Sequence, residues 1–154
     1  MTERDGEPGR LPGIVEYALP GGWRVLAGRT DAANDFLSVK LARPDDLWFH
    51  VRGLPGSHVV LRVPEGEAPG RAAQEQAAAI AAYHSKARAG GTVPVSCTEA
   101  RFVSKPRGAK PGTVSIRRER VLKVRPLTDA AAAELRVGPP DPRPARRVAR
   151  EDGA

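Results

Sequence analysis

Apolar and polar positions alternate along this chain in short blocks whose period changes from two to between three and four and back. Ile14 to Ala18 and Trp23 to Ala27 are brief apolar runs around Pro20-Gly21-Gly22, the pattern of a β-hairpin. Asp31 stands where it can cap a helix from Ala32 to about Leu41, with Phe36, Leu37 and Leu41 along one side. Asp45-Asp46 lead into Leu47 to Val51, a strand by composition; Gly53 to Ser57 turns the chain, and His58 to Val63 runs back as a second strand. Arg71 to Arg88 is the clearest helix, opening after Pro69-Gly70, closing at Gly90-Gly91 and containing eight alanines, the strongest helix former. Three further β-type runs follow, Thr92 to Thr98, Arg101 to Ser104 and Thr113 to Ile116, and then Arg120 to Val124. The pattern predicts an α+β fold, a mostly antiparallel sheet with one or two helices packed on a face.

The chain has 154 residues, 40% hydrophobic and 28% charged, enough for one domain with a modest core. There is no internal repeat. Residues 1–13 are polar and read as disordered, 14–127 as the folded domain, and 128–154 as a basic, largely disordered tail, proline- and arginine-rich from Gly138 onward. No apolar run nears the roughly 20 residues of a membrane-spanning helix. The start of the chain carries Glu3, Asp5 and Glu7 and no apolar signal core. A cytoplasmic protein with no membrane partner is the expectation. The lone Cys97 excludes an internal disulfide and a multi-cysteine zinc site, and its apolar surroundings predict a buried small hydrophobe.

Charge changes the picture most. Against a net +7 for the whole chain, residues 101–125 hold nine basic side chains and one acid, Glu119. Such a concentration favours an anionic partner, nucleic acid first. Within it, Lys105-Pro106-Arg107-Gly108-Ala109-Lys110-Pro111-Gly112 is broken by prolines and glycines into a loop. Lys105, Arg107 and Lys110 on that loop, with Arg117 on the basic strand beyond it, suit contact with a phosphodiester backbone. The plainer alternative is a solvated turn with surface lysines.

The segment Asp46 to Leu61 offers the other candidate chemistry. Strand alternation places Leu47, Phe49 and Val51 on one face and Trp48, His50 and Arg52 on the other. The return strand sends Val59, Leu61 and Val63 inward and His58, Val60 and Arg62 outward. An outer face with one indole, two imidazoles and two guanidinium groups would stack on a base and neutralise phosphate. In the plainer reading Trp48 covers a helix edge and both histidines satisfy backbone groups. Gly53, Pro55 and Gly56 are turn formers first, although Gly56-Ser57 also offers backbone N–H groups to a phosphate. Tyr83 or His84 on the alanine helix is within reach of a ligand edge, but packing explains that helix. No carboxylate or cysteine stands at metal-ligand spacing beside the histidines, and a Ser57–His58 nucleophile–base pair has no visible third group. No metal and no cofactor are expected.

The run DLWFHVRGLPGSHVVLR, from Asp46 to Arg62, resembles the signature of the NFACT RNA-binding domain, NFACT-R. The opening GWRVLAGRTDAANDFLSVKLARP (Gly22 to Pro44), the helix AAAIAAYHSKAR (Ala77 to Arg88) and the basic GAKPGTVSI (Gly108 to Ile116) occur in that family's order. The resemblance covers about Gly13 to Leu127. By matched motif it points to Asp46, Trp48, His50, Gly56, Ser57, His58, Lys110 and Gly112. Larger members of the family carry further domains and a coiled coil, bind the stalled large ribosomal subunit and tRNA, and support template-free tailing of nascent chains. This chain looks like a stand-alone form, so the tailing function is not carried over.

Together these readings predict a non-catalytic module for structured RNA, tRNA or rRNA, linked to ribosome quality control or to tRNA modification. The candidate contacts are Trp48, His50, Arg52, Gly56, Ser57, His58, Arg62, Lys105, Arg107, Lys110 and Arg117. The rivals are an RNA-processing hydrolase using His50 and His58 and a protein-interaction module docking on an acidic ribosomal partner.

Overall fold

The computed structural model describes residues 13–138. Seven strands form one antiparallel sheet in the order β8-β5-β3-β4-β2-β1-β9, and two more, β6 and β7, form a small ribbon. The expected hairpin is β1 (Ile14–Ala18) with β2 (Arg24–Gly28), closed by hydrogen bonds between Leu19 and Trp23 and between Gly22 and Leu19. The central hairpin is β3 (Leu47–Val51) with β4 (Val59–Leu61), registered by Trp48 opposite Val60. β5 (Val93–Glu99) pairs with β3, and β8 (Arg120–Val124) pairs with β5 at one edge of the sheet. Between them lie a 3₁₀ turn at Ala100–Phe102 and the ribbon β6 (Val103–Ser104) and β7 (Ser115–Ile116), which holds the basic loop at its tip.

One face of the sheet packs on helix α2 (Arg71–Tyr83). Tyr17, Val25, Phe49, Val51, Val59, Leu61, Val95 and Cys97 meet Ala77, Ala78, Ile80, Ala81 and Ala82 there. Alanines bring the helix axis close to the sheet, and the apolar area removed from water, about 25 cal/mol per Å², drives the contact. The helix ends at Tyr83, five residues before the expected Arg88. The chain peels away because Ser57 donates its N–H to the His84 carbonyl (3.0 Å) and Lys86 donates to the Pro55 carbonyl (3.3 Å). Gly56 pairs with Ser85 at this point, and a Cβ on Gly56 would meet the Ser85 Cβ at 2.9 Å.

The other face is covered too. Helix α1 (Asp31–Asp35) runs into a π-helical stretch, Phe36–Leu41, closed by the Ala42 N–H on the Leu37 carbonyl at 2.9 Å. Thr30, and not Asp31, is the N-cap; its hydroxyl accepts from the Ala33 N–H at 3.0 Å. This segment and the β6–β7 ribbon close over a second hydrophobic cluster of Ile14, Leu26, Ala33, Leu37, Trp48 and Val60.

The fold also continues past residue 127. Helix α3 (Asp129–Leu135) is capped by Thr128, whose hydroxyl accepts from Ala131, and β9 (Arg136–Val137) adds to the edge of β1. Ala132, Leu127 and Leu135 join the main core, so the first ten residues assigned to the tail are structured. Most of the expected disordered N-terminus and the rest of the tail lie outside the described residues.

Candidate nucleic-acid interface

The alternation predicted for the central hairpin is correct, but the face carrying Trp48 and His58 is not open. Trp48 is 3% exposed and His58 4%, because α1 and the π-helical stretch lie across them. The Trp48 indole N–H donates to Ser38 Oγ at 2.8 Å, and Ser38 Oγ lies 2.7 Å from His58 Nδ1. The His58 backbone N–H donates to Asn34 Oδ1 at 3.0 Å. The three rings of Trp48, His50 and His58 pack together, His50 stacked on Trp48 and His58 edge-on to both. Burial first, and the neighbouring His50 second, push the His58 pKa down to about 4, so this imidazole is neutral at pH 7. His50, half-buried, is lowered as well by desolvation, against hydrogen bonding from the Val51 and Gly56 backbone.

Four other candidates are also drawn into the fold. Arg62 lies 3.1 Å from Asp46, a carboxylate with no exposure that also accepts from the Arg43 and Val63 N–H groups. Desolvation depresses the Arg62 pKa, and Asp46 offsets it. Ser57 is buried, and the N–H that would cradle a phosphate already serves the His84 carbonyl; Gly56 is there for the close approach to Ser85. Lys105 is half-buried, 3.1 Å from Asp35 and bonded to the Lys110 and Thr113 carbonyls. Asp35 also accepts the Gly112 N–H at 3.0 Å, so one carboxylate on α1 pins both ends of the basic loop. Gly112 has φ +86°, and a Cβ there would lie 2.8 Å from Asp31 Oδ1.

Tyr83 and His84 belong to another internal cluster. Tyr17 Oη lies 2.7 Å from His84 Nε2, and Tyr83 donates to Asp129 of α3 while Arg88 sits over its ring. Burial and the Asp129 contact raise the Tyr83 pKa to about 12. Cys97 is fully buried as expected, and desolvation raises its thiol to about 11.

Four of the proposed contacts, Arg52, Arg107, Lys110 and Arg117, are exposed, and His50, Gly56, Arg62 and Lys105 are half-buried. The structure adds Arg118, Glu119, Val121 and Lys123 to them. At the far end of the second face, beyond α1, the register aligns half-buried His50 and exposed Val121 with Ser96, which is itself buried. Arg52, Pro94 and Lys123 lie one row further along. The segment 117–119 crosses this face, with the Thr98 hydroxyl donating to the Arg117 carbonyl at 2.6 Å and Ser96 donating to Glu119 Oε2 at 2.6 Å. Arg117 and Arg118 stand 5.3 and 5.2 Å from the Phe102 ring centroid. Arg118 has φ +55°, a left-handed conformation unusual for a side chain of this kind. A basic run signals Arg118 and Lys123 in the sequence; nothing there shows which of them share a face with His50. Among the described residues no three His, Cys, Asp or Glu side chains gather to hold a metal ion, and no helix is long and apolar enough to cross a membrane.

Comparison with known proteins agrees with the motif resemblance. Residues 17–118 match the family described as the NFACT protein RNA binding domain. The chain is 40% identical over 118 residues to the Rqc2 homolog RqcH of Bacillus subtilis and 40% identical over 112 residues to that of Streptococcus suis. These alignments take in 77% and 73% of this chain and 20% of each relative, so the chain spans about a fifth of the curated proteins it matches. The solved structure of the C-terminal part of the fibronectin/fibrinogen-binding protein from Streptococcus suis superposes with a TM-score of 0.76 at 35% identity, covering 83% of this chain and 51% of that one. With a family match over most of its folded residues, this chain belongs to the NFACT RNA-binding domain family.

Proposed function

We propose that this chain is a non-catalytic RNA-binding module that engages structured RNA, tRNA or rRNA, in ribosome quality control. The observation that carries the reading is a set of exposed cations, Arg107, Lys110, Arg117, Arg118 and Lys123. None of them makes an ion pair with another described residue, and all lie on or beside the second face of the sheet. Unpaired surface cations on rigid elements are the electrostatic footprint of a phosphodiester partner. Family membership and the kinship with RqcH support the same partner and setting. Against acid–base chemistry stands the placement of His58, whose ring is buried and whose Nδ1 is engaged by Ser38.

Filter binding of tRNA and of large-subunit rRNA across a salt series tests the reading. The affinity is expected to fall steeply and log-linearly with salt. Labelled RNA incubated with the protein is expected to remain intact. Salt-insensitive binding, or turnover of the RNA, overturns the proposal.

A further inference from the structure

Glu119 is the only acid in the basic stretch 101–125, and it sits inside the proposed RNA surface. A carboxylate there repels phosphate, so its position calls for a reason. The side chain is firmly oriented: the hydroxyl of Ser96, itself 5% exposed, donates to Oε2 at 2.6 Å. Arg52 is 3.6 Å from the same oxygen, beyond a hydrogen bond, and its side chain is 58% exposed. Both contacts fall on Oε2, which leaves Oε1 with no partner among the described residues. The backbone leading to it is strained, since Arg118 holds φ +55° immediately before Glu119. Strain kept beside an oriented acceptor that faces solvent points to use of that acceptor.

The surroundings fit a flat aromatic ligand. His50, Ser96 and Val121 form a row across three strands, about 10 Å wide at the usual strand spacing. Val121 is 38% exposed, and Pro94 is exposed in the next row. The His50 ring is stacked on Trp48 with 13° between planes, so its other face looks along the strand towards Arg52. Arg52 and Lys123 flank the row with positive charge. Sheet faces that combine a ring, small apolar side chains and peripheral cations accept unpaired bases.

Resting on the RNA-binding reading above, we propose that this strip is a subsite for one unpaired nucleotide, whose base is read by Glu119. The base lies over Pro94 against the open face of His50, Arg52 and Lys123 take the flanking phosphates, and Oε1 accepts hydrogen from the base edge. A carboxylate acceptor fits guanine best, because its imino and amino hydrogens stand side by side. Uracil fits worst, because its single imino hydrogen lies between two carbonyl oxygens that the carboxylate repels.

Fluorescence anisotropy with two single-stranded decamers, alternating guanine–uracil and oligo-uracil, tests this on the full chain. The native protein is expected to prefer the guanine-containing decamer by about tenfold. Glu119→Gln is expected to bring the two within about twofold, mainly through tighter binding of oligo-uracil. Carbodiimide labelling of the native protein gives a second readout: the guanine decamer protects the Glu119 carboxyl and oligo-uracil does not. Binding of both decamers with equal, salt-dependent affinity overturns the subsite and leaves the RNA reading standing. Equal tightening of both by Glu119→Gln does the same, since the carboxylate is then a counter-ion only. If neither decamer nor structured RNA binds, the RNA reading falls and the subsite with it. Binding of a poly-glutamate peptide in their place would identify an acidic protein partner.

Discussion

Trp48 and Ser38 are joined by an indole N–H to hydroxyl hydrogen bond of 2.8 Å that ties the central hairpin to the π-helical stretch above it. The hydroxyl passes the connection on to His58, so a strand, a helix and a second strand meet at one oxygen atom. This makes the signature aromatic residue a structural one. Trp48→Ala should cost about 3–5 kcal/mol of stability, and Trp48→Phe about 1–2 kcal/mol from the lost indole hydrogen bond and lost volume. Urea unfolding measures both. RNA affinity per folded molecule should stay at the native value.

The buried His58 makes stability depend on acidity. Its folded pKa of about 4 lies below the unfolded value near 6.5, so protonation favours the unfolded chain. The contribution is complete above pH 6.5 and is lost as the pH falls towards 4, with a ceiling of about 3 kcal/mol. Thermal melts at pH 7 and pH 4.5 should show a drop that is clearly smaller in His58→Gln. An equal drop in both proteins would assign the acid sensitivity elsewhere.

Asp35 gives a prediction of unusual sign. Removing an acid from a basic protein should, on net charge alone, tighten RNA binding. Asp35 instead holds Lys105 and the Gly112 N–H, and thereby the loop that carries Arg107 and Lys110. Affinity should fall from native to Asp35→Asn, which keeps an acceptor for Gly112, and fall again in Asp35→Ala. Tighter binding along that series, measured at one salt concentration, would show that the loop needs no such anchor.

Arg118 separates stability from binding. Glycine adopts its left-handed conformation without a Cβ clash, so Arg118→Gly should gain up to about 1 kcal/mol in stability. The same change removes a guanidinium beside Phe102 and should weaken RNA binding and flatten its salt dependence. Calorimetry and filter binding on the one variant check both signs.

Most strands, the alanine helix and the antiparallel sheet are legible in the sequence because each rests on local periodicity. The parity of the central hairpin is legible too: Trp48, His50 and Arg52 do share a face. What covers that face is not, because α1 reaches it through contacts such as Asn34 to His58, 24 residues apart. Lys105 reads as a free cation for the same reason, its carboxylate partner lying 70 residues away. The structured stretch after Leu127 carried a local signal, a threonine cap before an alanine run, outweighed by the proline-rich chain that follows. Glu119 was visible only as the exception in a basic run; its place between Ser96 and Arg52 needs the sheet register.

The central claim is that exposed cations beside the second face bind RNA while the buried aromatic cluster holds the fold. The salt dependence of tRNA affinity, measured for the native chain, for a Lys110→Ala, Arg117→Ala, Lys123→Ala triple variant and for Trp48→Phe, tests it most directly. The triple variant should keep its melting temperature and lose about 3 from the slope of log affinity against log salt. Trp48→Phe should melt lower with its slope unchanged. A native slope in the triple variant, or a reduced one in folded Trp48→Phe, would contradict the account.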